Sequence, residues 1–164
     1  MEIQLAGVVK ESITDGPGIR YTVFVQGCPH GCPGCHNPQT HDFHAGTMQS
    51  VENIVKDFEK NPMLKGITLS GGEPFCQPKP LVRLAKAVHS MGKDVVAYSG
   101  WTYEELIAMQ NEDVHNLLNE IDVLVDGKFI QDLKNLELRF RGSENQRLID
   151  MKKTRQKGKL IFME

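Results

Sequence analysis

Apolar and polar positions along this chain switch between two periods, and the switches predict its elements. Val51, Ile54, Val55 and Phe58 fall at i, i+3, i+4 and i+7, the apolar stripe of one helix, which Pro62 closes. Leu81, Leu84, Ala85 and Val88 repeat the stripe ahead of Gly92, and Val114, Leu117, Leu118 and Ile121 repeat it again. Around these lie short runs suited to strands: Ile3 to Val9, Arg20 to Gln26, Gly66 to Ser70, Asp94 to Tyr98 and Asp122 to Asp126. A polar connection is expected from Gln39 to Thr47. Strands alternating with helices imply crossover units, hence an α/β fold with a parallel sheet and right-handed connections. The chain has 164 residues, too few for an eight-fold barrel of about 250, so a partial, open parallel β/α barrel is expected. No repeat or linker divides the sequence, and a single domain over 1–164 is expected.

Charge narrows the partners only by exclusion. The formal net charge is −2 and 24% of residues are charged, which points neither to a nucleic-acid binder nor to a disordered chain. No apolar run approaches the roughly 20 residues that cross a bilayer, and Met1-Glu2-Ile3-Gln4 lacks a signal-peptide pattern. A cytoplasmic protein without membrane or nucleic-acid partners is expected. In that reducing compartment four cysteines read as ligands or catalysts rather than disulfides. The one uneven stretch is the tail, where Arg147, Lys152, Lys153, Arg155, Lys157 and Lys159 face a single acid, Asp150, before Leu160-Ile161-Phe162. It reads as a solvated face, with docking to a protein partner as the alternative.

The candidate chemistry sits directly after the Arg20 strand, in Gly27-Cys28-Pro29-His30-Gly31-Cys32-Pro33-Gly34-Cys35-His36-Asn37-Pro38. Its glycines and prolines exclude a regular helix, and the C-terminal end of a strand in such sheets is where ligands bind. Cys28, Cys32 and Cys35 form C-x3-C-x2-C, a set of soft thiolates suited to iron-sulfur, zinc or copper(I). Three local cysteines leave one iron of a four-iron cluster to another ligand. The alternatives are a zinc knuckle completed by His30, His36, His41 or His44, and a closed cluster completed by Cys76 from Glu73-Pro74-Phe75-Cys76. Spacing alone leaves these open.

The loop together with Ser70-Gly71-Gly72-Glu73-Pro74, at the end of the next strand, resembles the radical S-adenosylmethionine superfamily. Asp15-Gly16-Pro17-Gly18-Ile19-Arg20 is similar to the N-terminal loop of glycyl-radical-enzyme activases. Asp122 to Phe129 and Arg139 to Arg147 resemble those of anaerobic ribonucleoside-triphosphate reductase. The resemblance implies that Cys28, Cys32 and Cys35 hold one 4Fe-4S cluster whose fourth iron is chelated by S-adenosylmethionine. Gly71, Gly72, Glu73 and Pro74 would then receive the methionine amino group, since glycines admit close backbone approach and a carboxylate accepts from an ammonium. Gly34, Cys35 and His36 match the adenine-contacting segment. Gly34 stands where the superfamily commonly has an aromatic residue, which makes His36 the candidate for packing on the base. Ser99, with Gly100, and Asp126 end the next two strands and are expected to open toward the same crevice as further cofactor contacts. The bland readings are a plain strand-to-helix turn for Gly71-Gly72, a loop cap for His36, and a helix cap for Ser99.

The reaction implied is reductive cleavage of S-adenosylmethionine to methionine and a 5'-deoxyadenosyl radical, which takes hydrogen from a backbone glycine of the reductase large subunit. The cofactors carry the hard chemistry, so no side-chain acid or base is expected. Electrons would come from a flavodoxin-like or other low-potential donor. A small-molecule enzyme similar to 7-carboxy-7-deazaguanine synthases is the alternative, against which the Asp15 and Arg139 segments count. A non-catalytic zinc or iron-sulfur module leaves Ser70 to Pro74 unexplained.

Overall fold

A computed structural model describes residues 1–163, and its strands take their two faces from alternation in the sequence. β1 (Glu2–Ser12), β2 (Arg20–Val25), β3 (Thr47–Ser50), β4 (Gly66–Gly71), β5 (Asp94–Ser99), β6 (Val123–Asp126) and β7 (Arg147–Asp150) form one sheet, ordered β3-β1-β2-β4-β5-β6-β7. β2, β4, β5 and β6 run parallel. They are joined by α1 (Val51–Glu59), by α2 (Pro78–Ser90), and by α3 (Tyr103–Ala108) with α4 (Glu112–Asn119). The result is a mixed α/β fold with a mostly parallel central sheet.

The expectation of a parallel sheet holds for the centre and fails at the edges. β1 pairs antiparallel with both β2 and β3, and β7 pairs antiparallel with β6. A parallel return needs a crossover of about a dozen residues or more, which residues 13–19 are too few to make. Residues 127–146 are numerous enough, but they carry no α-helix that could lie across the sheet.

Tyr21, Val23 and Val25 of β2, Ile67 and Leu69 of β4, and Val95 and Ala97 of β5 enter the main core. The predicted stripes meet them there, with Ile54, Phe58, Leu81, Leu84, Leu117 and Leu118 all buried. An eight-residue helix such as α4 is marginal by itself, so burial of its stripe is what holds it. The alternate positions of the same strands, Arg20, Thr22, Phe24, Thr68, Ser70 and Tyr98, face the other side, which carries the site.

Arg20 is fully buried and governs that side. Its Nε donates to Thr68 Oγ1 at 2.7 Å, Nη1 to Pro17 O at 3.0 Å and Nη2 to Ile67 O at 2.8 Å, and it pairs with Asp94 at 2.6 Å. The turn of residues 14–18 is thereby pulled against the sheet. Asp15 Oδ2 there accepts from Ser12 Oγ at 2.6 Å and from Thr22 Oγ1 at 3.2 Å.

Two elements run against the sequence patterns. β3 continues the stretch expected to be a polar connection. Its four exposed or half-buried residues show no apolar alternation, and only pairing with the edge of β1 makes them a strand. The basic tail is not a purely solvated face, because β7 and α5 (Met151–Lys157) bury Ile149, Met151 and Thr154. Arg155 Nη1 reaches Ile121 O at 3.0 Å, beyond the end of α4. Among the described residues no helix is long and apolar enough to cross a membrane.

Candidate functional site

The four parallel strands end on one rim, and each is followed by a glycine-bearing turn. Cys28, Gly71, Gly72, Ser99, Gly100 and Gly127 from these turns line a cavity of about 420 Å3. Two of the glycines are demanded by the chain itself. A Cβ on Gly71, which has φ 94°, would lie 2.5 Å from Val25 N, and one on Gly72 would strike Gly27 O. Gly72 N donates to Val25 O and Glu73 N to Gly27 O, both at 2.8 Å, so this turn is fastened to the start of the cysteine loop.

The cysteine loop is closed at its base by Gly27 N to Thr40 O (2.7 Å) and Cys28 N to His41 O (3.2 Å). Gly31 and Gly34, at φ 58° and 72°, supply turns that other residues strain to make. Cys28, Cys32 and Cys35 are half-buried, unbridged and line the same cavity. Burial pushes the Cys28 and Cys32 thiols above their ordinary value. Among the described residues no three His, Cys, Asp or Glu side chains converge closely enough for a single metal ion. Three soft thiolates that line one cavity fit an iron-sulfur cluster by their donor chemistry. Cys76 is exposed and does not line the cavity.

Glu73 lies behind the cavity wall, fully buried. Its Oε1 accepts from Ser99 Oγ at 3.0 Å and Gly100 N at 2.8 Å and lies 2.7 Å from His30 Nε2, while Oε2 accepts from Phe75 N at 3.0 Å. The carboxylate expected to receive a ligand ammonium is thus occupied within the protein, because the strand-end turns converge on it. The His30 ring meets Trp101 edge-on at 4.7 Å, and a Cβ on Gly100 would strike His30.

Other expected residues divide. His36 lines the cavity and packs edge-on against Phe129 at 5.2 Å. Ser99 also lines it, and it does not cap the following helix, whose cap is Thr102 in a reciprocal pair with Glu105. Gly34 faces Gln131 outside the cavity, and Pro74 is buried at the start of a 3-10 turn. Asp126 does not open toward the crevice. It is fully buried, accepting from Tyr103 N at 2.7 Å and from Arg147 Nε at 3.0 Å, because β7 brings a guanidinium beside it.

Residues 127–146, which strand and helix patterns pass over, complete the cavity with Lys128, Phe129, Phe140, Arg141, Gly142 and Gln146. Tyr98 donates its hydroxyl to Phe140 O at 2.5 Å, and burial pushes that hydroxyl up, keeping it a donor. Phe140 sits at φ 62°, an unusual conformation for an aromatic residue. No local periodicity announces this segment; its trace in the sequence is the similarity of Asp122 to Phe129 and of Arg139 to Arg147 to known activases.

Residues 14–149 match the family described as "4Fe-4S single cluster domain". The anaerobic ribonucleoside-triphosphate reductase-activating protein of Salmonella typhi is 42% identical over 142 residues, covering 82% of this chain and 90% of its own. That of Escherichia coli K12 is 40% identical over 143 residues with the same coverage, and that of Enterobacteria phage T4 is 34% identical over 142 residues, covering 82% and 85%. In fold, the chain is similar to QueE from Escherichia coli, with a TM-score of 0.51, 13% identity, and 77% and 71% of the two chains covered. Identity at this level over most of both lengths decides kinship: the chain belongs to the family of anaerobic ribonucleoside-triphosphate reductase-activating proteins.

Proposed function

We propose that this enzyme generates a glycyl radical on an anaerobic, class III ribonucleoside-triphosphate reductase, using S-adenosylmethionine at a 4Fe-4S cluster held by Cys28, Cys32 and Cys35. The observation that carries the reading is that all three thiols share one cavity with Gly71, Gly72, Ser99 and His36. Held there, a cluster would supply the one electron needed for reductive cleavage of S-adenosylmethionine to methionine and a 5'-deoxyadenosyl radical, and the hydrogen that radical takes would come from a glycine of the reductase large subunit.

The chain's own residues position and enclose. The Cys28 to Cys35 loop presents its thiols from a base fixed to the Gly71-Gly72 turn, so cluster and methionine sites are held in register. Gly71 and Gly72 offer backbone to the methionine end, with Glu73 and Pro74 setting the turn from behind. His36 with Phe129 offers an aromatic wall to the adenine, next to Gly34 and Cys35. Ser99 orients Glu73, and Asp126 fixes the end of β6 through Arg147. Residues 127–146 cover the cavity and exclude water from a reactive radical. The sheet reads as a partial β/α barrel around this cavity. Electrons come from a flavodoxin-like or other low-potential donor, and neither nucleic acid nor membrane takes part, in a cytoplasmic, single-domain protein.

The test is anaerobic. The chain is reconstituted with iron and sulfide, reduced, and given S-adenosylmethionine with and without the reductase large subunit. Cleavage to 5'-deoxyadenosine together with a glycyl doublet in electron paramagnetic resonance supports the proposal. Cleavage without a partner radical points to a small-molecule substrate, and bound zinc without cleavage overturns the radical chemistry.

A further inference from the structure

Two cations of the covering segment, Lys128 and Arg141, line the cavity, and the Arg141 side chain is the one fixed by a hydrogen bond to this segment. Arg141 lines the cavity between Phe140 and Gly142. Its Nη1 donates to Gln146 O at 2.8 Å, while its Nε is buried without a partner. A buried N–H with no acceptor is costly, and a guanidinium presents Nε and Nη2 as a fork that matches the two oxygens of a carboxylate.

The fork is held in place. Gln146 Oε1 accepts from Gly142 N at 2.8 Å and Ser143 N at 3.1 Å, and Gln146 Nε2 donates to Gly127 O at 2.9 Å. The turn carrying Arg141 is thereby pinned to the end of β6. No carboxylate of the cavity answers it. Asp15 is the acidic residue in the lining, and its Oδ2 is engaged by Ser12 and Thr22. Glu73 and Asp126 are engaged outside the lining, by His30 and Arg147.

We infer that Arg141 is the carboxylate-recognition residue of this cavity, its Nε–Nη2 edge donating to a carboxylate that a ligand brings in. The inference rests on the proposed function, which supplies two sources: the methionyl carboxylate of S-adenosylmethionine, and an acidic side chain or chain terminus of the reductase segment that presents the glycine. Preorganisation by Gln146 lowers the ordering cost of that contact, so the contact contributes to affinity rather than merely to fit.

Binding is the readout. Reconstituted wild-type protein, Arg141→Gln and Arg141→Lys are titrated anaerobically with S-adenosylmethionine and with 5'-methylthioadenosine, which lacks the amino-acid carboxylate. Interferometry then measures each against the reductase large subunit. Arg141 stands outside the hydrophobic core, and lysine keeps its charge and stem, so Arg141→Lys is read should Arg141→Gln lose iron or circular dichroism. If the cofactor is the source, both variants lose about tenfold in S-adenosylmethionine affinity and stay within about twofold for methylthioadenosine. If the reductase is the source, cofactor affinity holds and reductase affinity falls about tenfold. Both affinities within about twofold of wild type overturn the role of Arg141. Wild-type protein that binds neither S-adenosylmethionine nor the reductase overturns the proposed function itself, a result read before any variant is made.

Discussion

His30 Nε2 lies 2.7 Å from Glu73 Oε1, and this contact ties the middle of the cysteine loop to the Gly-Gly-Glu turn. Ser99 Oγ and Gly100 N donate to the same oxygen, so three segments that follow three different strands meet on one buried carboxylate. The cysteine loop and the strand-end turns are therefore mechanically one unit.

Removing the histidine leaves that carboxylate short of a donor, a loss of about 2 kcal/mol for a buried charged acceptor. His30→Ala should lower the melting temperature by several degrees and weaken S-adenosylmethionine binding about tenfold, with iron content retained. His30→Gln, which keeps a donor, should recover most of the binding. Calorimetric titration of the reconstituted variants checks this, and equal affinities for wild type and His30→Ala would refute the coupling.

Iron content separates the cysteines. Cys28→Ser, Cys32→Ser and Cys35→Ser should each lose most reconstituted iron, because each thiol lines the cavity, and Cys76→Ser should retain it, because Cys76 is exposed outside the lining. Loss of iron in Cys76→Ser comparable to that in Cys28→Ser would place the cluster elsewhere.

Arg147 bridges the buried Asp126 and the exposed Glu104. Arg147→Gln strands Asp126 and should cost about 3 kcal/mol, measured by urea denaturation at neutral pH. Arg147 also holds the Glu104 carboxyl below its usual 4.5. A group depressed in the folded state stabilises fully above its unfolded value and loses that contribution as pH falls through the folded value. The stability gap between wild type and variant should accordingly narrow below about pH 4.5. Glu104 is exposed, so its share of the gap is the smaller one.

Arg20 is fully buried with donors on Thr68, Pro17 and Ile67 and an ion pair to Asp94. Arg20→Met should destabilise by about 3–5 kcal/mol, since one partner of a buried pair is removed. The turn of residues 14–18 should loosen with it, seen as faster cleavage there in limited proteolysis. A variant with wild-type stability and protection would show that the turn is held by other contacts.

Much of the frame was legible in one dimension. Helices from Val51, Leu81 and Val114 and strands from Arg20, Gly66, Asp94 and Asp122 follow from periods of 3.6 and 2, which adjacent residues fully specify. The cysteine spacing and the placement of Cys28, Gly71 and Ser99 at strand ends likewise gathered three turns on one rim, since parallel strands must end together. The sequence alone thus determined the crossover core and the strand-end rim on which the three cysteines sit. Only the tertiary structure decided which polar groups pair. Glu73 turned to His30 rather than to the cavity, Asp126 turned to Arg147, and Arg141 reached the cavity from a segment without periodicity. β3 and β7 became strands only because an open edge of β1 and of β6 awaited them. The physical reason is common to all of these: a contact between residues far apart along the chain depends on where the sheet delivers them, and no local pattern carries that information.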